Sequence, residues 1–369
     1  MLTKKTFLNQ LETLVSFKSL PGDVATNSAA LDFIQKLVSP KATIQRVKNG
    51  TAEILVASNS STLTPEFGYL VHVDIVSASD ALFTMKNEAG IVKGRGVSDM
   101  KFSIPIGIAL LNELIEKKSN LTFSLAITTD EEIGGPEGAA HLADEMKWRP
   151  KALIIPDGGD NLKFVSASKG VAQFEITTFG VSAHASRTWE GENAIPKMAQ
   201  IICALEEKFG SNNKEENWDT TLNFGTISAG VSTNQVCDQA TLKIDFRFPE
   251  TNSAEKIHNQ LASLVKTVVP TAKVELSSTC QPTATDVSLP VVQKLLKTFE
   301  QHFGHKISVG HTFGASDAAH FADFNIPILM IKPKGGDIHM ESEWLDVDST
   351  MQFYEGLRLF LLKNSEEKI

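Results

Sequence analysis

The feature that most constrains this chain is an alternation of short apolar runs of strand length with longer segments in which apolar residues recur every three or four positions. Phe7, Leu8, Leu11, Leu14 and Val15, then Leu31, Ile34, Leu37 and Val38, mark two opening helices. Strand-like runs follow at 51–57, 67–74, 121–129 and 152–156, with helical patterns at 100–117 and 136–147. Such alternation predicts an α/β layer in which helices cover a sheet. The middle reads as α+β, with strands expected at 171–179, 221–228 and 240–248 and helices at 194–209 and 254–268. A helix at 289–303, a short strand at 328–331 and a closing helix at 348–362 resume the first pattern. Gly170 and Gln281-Pro282 mark the expected joints, giving a first domain formed by 1–169 and 283–369 around an insert of 170–282.

At 369 residues the chain is long enough for more than one core. Its formal net charge is −9, from 35 Lys and Arg against 44 Asp and Glu, without a basic block to meet a phosphate backbone, so no nucleic-acid partner is expected. Cys203, Cys237 and Cys280 are far apart and odd in number, which fits a reducing cytoplasm better than a disulfide framework. The N-terminus has no apolar signal core, and the apolar stretch around 104–111 is far below bilayer length, so neither export nor a membrane partner is expected.

Chemistry concentrates where apolar strands end. In Gly68-Tyr69-Leu70-Val71-His72-Val73-Asp74, His72 and Asp74 are two apart and leave one face of a strand, where His72 can ligate a cation and Asp74 can orient the ring. Gly94-Arg95-Gly96-Val97-Ser98-Asp99 is a tight turn that delivers Asp99 ahead of a helix, as an N-cap or as a carboxylate shared by two cations. It lacks the third glycine of a dinucleotide loop. Thr129-Asp130-Glu131-Glu132-Ile133-Gly134-Gly135 places three acids directly after an apolar run, an arrangement that solvent, protons or cations must offset. Asp157 and His339 again follow short strands through glycine-containing loops. Each position alone fits ordinary turn chemistry, but five such strand ends in one chain are poorly explained as independent turns. Gly314-Ala315-Ser316-Asp317-Ala318 is not a complete nucleophile elbow, which disfavours a serine hydrolase.

The order His-x-Asp, Gly-Arg-Gly-x-x-Asp-Met-Lys, Asp-Glu-Glu-x-Gly-Gly, Asp and a late His resembles the metallopeptidase and deacylase family of acetylornithine deacetylase, succinyl-diaminopimelate desuccinylase, carboxypeptidase G and the tripeptide aminopeptidases. The resemblance implies a zinc-exopeptidase-like α/β fold: a central mixed sheet flanked by helices, with an inserted α+β lid and dimerisation domain. It implies two divalent cations, Zn²⁺ first and Co²⁺ or Mn²⁺ as substitutes. Asp99 would bridge them, Glu132 and His339 would complete one site, His72 and Asp157 the other, and Glu131, with Asp74 behind His72, would be catalytic. It further implies that His184, Asn234, Arg247 and Gly314 bind substrate and that the chain pairs as a homodimer through the insert. The implied substrate is a short peptide or an N-acyl amino acid. The chain departs from the family pattern in having Ile75-Val76-Ser77 after the His-x-Asp pair and Ala315 before Ser316. Asp157, where deacylases usually carry Glu, turns the expectation toward a dipeptide or short peptide. A catalytically silent homologue that binds metal and ligand is the alternative of another class, and retention of both Glu131 and Glu132 speaks against it.

Overall fold

The opening helices form where the apolar spacing requires. Lys4–Ser16 starts at Thr3, whose hydroxyl accepts the Thr6 N–H, and it buries Phe7, Leu11, Leu14 and Val15. Val24–Leu37 starts at Asp23 in the same way and buries Ala30, Leu31 and Ile34. The computed structural model describes residues 1–210 and 216–366, which divide into two compact units. One comprises Met1–Ser166, Ala284–Thr312 and Ser316–Ile369; the other comprises Ala167–Thr283 with Phe313–Ala315.

The first unit is built on a six-stranded mixed sheet, ordered Thr43–Asn49, Ala52–Ser58, Phe123–Thr128, Phe67–His72, Ala152–Ile154, Ile328–Leu329. The first two strands form an antiparallel hairpin and the remaining four run parallel to one another. Alternate side chains leave opposite faces, so Tyr69, Val71, Leu125 and Ile127 join one core while Leu70, Ala126 and Leu153 join another. The larger core packs under Lys4–Ser16, Val24–Leu37, Ser103–Glu116, Pro290–Phe303 and Val347–Glu366, and the smaller includes Leu142, Trp148 and Phe321. This is the α/β class with a mixed sheet between helical layers. A second, small sheet of Gly335–Gly336, Trp344–Asp346, Ile91–Lys93 and Lys86–Glu88 carries the late loops beside the Gly94–Asp99 turn.

The second unit is a four-stranded antiparallel sheet, ordered Thr221–Ala229, Gln239–Phe248, Gly170–Phe179, Lys273–Cys280, whose apolar face receives the helices Ala194–Phe209 and Ala254–Val268.

Three expectations need correction. The helix expected over 136–147 contracts to Ala139–Asp144, because Gly134 and Gly135 adopt positive φ and the Asp130 carboxylate takes up the Glu137 and Gly138 amides. The helix expected from residue 100 begins at Ser103. Gly170 is no free joint, since it is the paired first residue of a strand, where a Cβ would meet the Phe248 ring at 2.6 Å. Among the described residues no helix is long and apolar enough to cross a membrane.

Candidate metal centre

The four parallel strands of the first unit end on one edge, and the loops leaving that edge carry the candidate ligands. His72 closes its strand, Glu131 and Glu132 follow Thr128, Asp157 follows Ile154, and His339 lies in the connection after Ile328–Leu329. Asp99 arrives from the Gly94 turn, where Gly94 and Gly96 both take positive φ and the Asp99–Met100 peptide is cis. His339 itself adopts φ +65°, sparsely populated for a residue with a side chain.

Six positions converge. His72, Asp99 and Asp157 form one cluster, and Asp99, Glu132 and His339 another, each with ligand atoms within 4.8 Å of one another. Asp99 belongs to both: its Oδ1 lies 3.3 Å from His72 Nε2 and its Oδ2 lies 3.1 Å from His339 Nε2. His339 Nε2 is also 3.1 Å from Glu132 Oε2, and Glu131 Oε2 lies 3.7 Å from His72 Nε2. Asp74 stands behind the site. Its carbonyl lies 3.1 Å from His72 Nδ1 and its Oδ2 accepts the Glu132 N–H at 3.0 Å, so one residue ties a histidine to the acidic loop.

Electrostatics bear on what the site can hold. Burial pushes the carboxyls of Glu131 and Asp157 well up, reinforced for Asp157 by Asp99 and for Glu131 by Asp157, Asp317 and Asp99. Burial would lower the His72 imidazole, but Glu131, Asp74 and Asp99 outweigh it and hold it well above its ordinary value. Bonds to Asp99 and Glu132 raise His339 to about 10. Burial would likewise raise Asp99, yet contacts with His339 and His72 hold it far below the usual carboxylate range. His72 Nε2 is buried without a hydrogen-bond partner. Three carboxylates and two imidazoles in a mixed nitrogen and oxygen set, one ring nitrogen of which is buried without a hydrogen-bond partner, fit a pair of divalent cations.

The remaining expected residues lie in the second unit. His184 and Asn234 sit side by side, with the Ala185 N–H donating to the Asn234 carbonyl and His184 bridged to Gln235; the His184 Nδ1 accepts the Ser186 N–H. Arg247 leaves the polar face of its strand, where its guanidinium grips Asp245 through Nε at 2.7 Å and Nη2 at 3.2 Å. Its fork is therefore already engaged by a neighbouring carboxylate. Gly314 lies in open space, where a Cβ would have no neighbour within 4 Å.

Two side chains around the centre escaped the sequence reading. Lys332, 4% exposed, reaches Asp160 at 3.1 Å, and its charge is sustained against burial by Asp160, Asp99 and Asp157. A Lys-Pro pair directly after a buried strand was the available signal. Thr128 donates to Asp317, whose buried carboxyl is pushed up to about 7 by burial and by Asp130; nothing in a threonine at a strand end announces this.

Residues 166–273 match the model of the M20 peptidase dimerisation domain. A probable carboxypeptidase of Ajellomyces dermatitidis is 27% identical over 208 residues, which are 54% of this chain and 46% of the relative. The aligned region thus spans about half the length of that relative. The succinyl-diaminopimelate desuccinylase of Marinobacter nauticus is 24% identical over 289 residues, 74% of this chain and 76% of that enzyme. Among solved structures, a tripeptidase of Staphylococcus aureus superposes with a TM-score of 0.81 at 20% identity, covering 99% of this chain and 100% of the other.

Proposed function

The chain has the fold of the M20 peptidases and carries their dimerisation domain, and on that premise we propose that it is a dinuclear metal-dependent hydrolase of an amide bond in a small, carboxylate-bearing substrate. The observation that carries this reading is the placement of Asp99, whose two carboxylate oxygens face different histidines in two adjoining clusters. His72, Asp99 and Asp157 would hold one cation and Asp99, Glu132 and His339 the other. Two divalent cations, Zn²⁺ by the donor set and Co²⁺ or Mn²⁺ as substitutes, supply an acidified water and a polarised carbonyl when bound.

The protein's own residues do the rest. Glu131, with its side chain 14% exposed and beside His72, takes the proton of the attacking water and returns it to the leaving nitrogen. Asp74 fixes the His72 ring and the Glu132 backbone together, so that a ligand and the base loop keep their spacing. In the second unit, His184 would donate to the developing oxyanion, and Asn234, Arg247 and Gly314 would hold the substrate carboxylate, Arg247 after exchanging Asp245 for it. This unit serves as a lid and as the surface through which a homodimer forms. The wide spacing and odd number of Cys203, Cys237 and Cys280 accord with a cytoplasmic setting.

A short peptide is the leading substrate, supported by Asp157 and by the likeness to a tripeptidase. N-acyl amino acid deacylation is the second reading, supported by the desuccinylase relative aligned over three-quarters of its length. Metal-reconstituted protein assayed against dipeptides, tripeptides and acyl amino acids ranks the two. Glu131→Ala is expected to abolish turnover, with a loss of at least about 100-fold, while cation content measured by elemental analysis stays at the wild-type level. Full activity in that variant removes Glu131 as the base and ends the mechanism given above, whereas no activity in the wild type across both substrate classes refutes the hydrolase and leaves the catalytically silent binder.

A further inference from the structure

Glu343 is fully buried, yet the chemistry described so far does not use it. Its Oε1 accepts the Ser98 N–H at 2.9 Å and the Asp99 N–H at 3.2 Å. Its Oε2 accepts the Gly96 N–H at 3.1 Å and Arg95 Nη1 at 2.6 Å, and its carbonyl accepts the Gly94 N–H at 3.3 Å. One side chain thus grips the whole turn that presents Asp99. Glu343 also belongs to the hairpin that presents His339: Gly335–Gly336 pairs with Trp344–Asp346, and His339 lies in the connection between them. Trp344 in turn pairs with Lys93, next to the start of the Asp99 turn. Hairpin and turn are packed closely, since a Cβ on Gly335 would stand 2.6 Å from Ser98 Oγ.

We propose that Glu343 is a positioning residue that sets the separation of Asp99 from His339, and through it the affinity of the Asp99, Glu132 and His339 site for its cation. The proposal rests on the dinuclear reading above. An amide at this position cannot do the same work. The carboxylate only accepts, and all four of its partners are donors; a glutamine would turn an NH₂ group toward two of them and leave Arg95 buried beside a neutral group. The hairpin that carries His339 would then be free to move relative to the turn, and the His339–Asp99 pair held at 3.1 Å would lose its preset spacing while Asp99 keeps its place beside His72. Residues that orient metal ligands typically change affinity by about 10–100-fold when altered.

The test is a titration of the chelator-stripped full-length protein with Co²⁺, followed by visible absorption and calorimetry, with circular dichroism and an unfolding curve for each variant. The wild type is expected to take up two cations. Glu343→Gln is expected to keep one near wild-type affinity and to bind the other about 10–100-fold more weakly, with an altered Co²⁺ spectrum. Gly335→Ala leaves the carboxylate intact but wedges a methyl group between hairpin and turn, and should produce the same selective loss. If Glu343→Gln fails to fold, hydrogen exchange on the metal-free wild type decides, because the Gly96, Ser98 and Asp99 amides should be strongly protected. Rapid exchange at those amides overturns the proposal. So does unchanged affinity for both cations in a folded Glu343→Gln, or equal weakening of both in proportion to lost stability, which marks a merely structural role. A wild type that takes up no divalent cation removes the metal centre itself and this proposal with it.

Discussion

Asp99 carries the largest share of the candidate centre, because it alone is common to both clusters. Asp99→Ala is therefore expected to cost both cation sites a ligand, whereas His339→Ala and Asp157→Ala each cost one. Elemental analysis after dialysis checks the ordering: retention near wild type in Asp99→Ala contradicts it. The pH response follows from the same residues. His72, His339 and Asp157 are all shifted upward, by neighbouring acids for the two histidines and by burial for Asp157, and with His339 raised to about 10 that ligand holds a proton at pH 7 in the cation-free protein that a cation must displace. Loading at pH 7 should release at least about one proton per chain, and affinity should fall by about tenfold or more for each unit of acidification. Calorimetry in buffers of differing ionisation heat measures this, and uptake without proton release contradicts it. His72, Glu131, Glu132 and Asp157 could be picked out in the sequence because ionisable residues close after apolar strands are hard to accommodate otherwise, whereas Asp99 and His339, reached through glycine-containing turns, stood out mainly by the motif order that the family resemblance rests on. Lys332 and Thr128 could not, because their significance lies in neighbours distant along the chain.

Long elements with a clear period were legible almost to the residue: Ala194–Phe209 and Ala254–Val268 have the expected limits because one buried stripe runs through each. Strands lacking such a stripe were missed. Lys273–Cys280 is mostly exposed at the edge of its sheet, and Thr43–Asn49 buries none of its residues fully. What holds them is backbone pairing with a neighbour, which no local pattern announces. Contacts between distant helices were equally hidden. Arg358, on Val347–Glu366, grips Glu113 on Ser103–Glu116 through two bonds of 2.6 and 2.7 Å. Burial would raise Glu113, but Arg358 and Lys117 hold it below its ordinary value. A lowered folded-state value means that this contribution is present above the unfolded carboxyl value and is lost as pH falls through the lowered one. Arg358→Met should destabilise the protein by roughly 2 kcal/mol at pH 7, as lost charge-assisted hydrogen bonds do, and by less at pH 3. Urea unfolding at both pH values tests it; an equal deficit at both excludes the ion pair as the cause.

All five candidate ligands lie in one of the two compact units. Cation removal should therefore lower the stability of that unit alone. A ligand present at about 100 times its Kd contributes roughly 2.7 kcal/mol, so scanning calorimetry with and without chelator should move one transition by several degrees and leave the other in place. Movement of both by the same amount would show that the units unfold together. The division into α/β and α+β parts could be read from the order of strand and helix patterns, while the return of Phe313–Ala315 to the second unit could not, since three residues carry no period.

The direction of the parallel strands has a practical corollary. Every candidate ligand taken from the main sheet leaves its carboxyl edge, and the opposite edge, including the exposed turn at 61–64, contributes none. That turn is accordingly the place to graft a fluorophore or an affinity handle: a reporter fixed there rides on the rigid sheet while standing a full strand length from the chemistry.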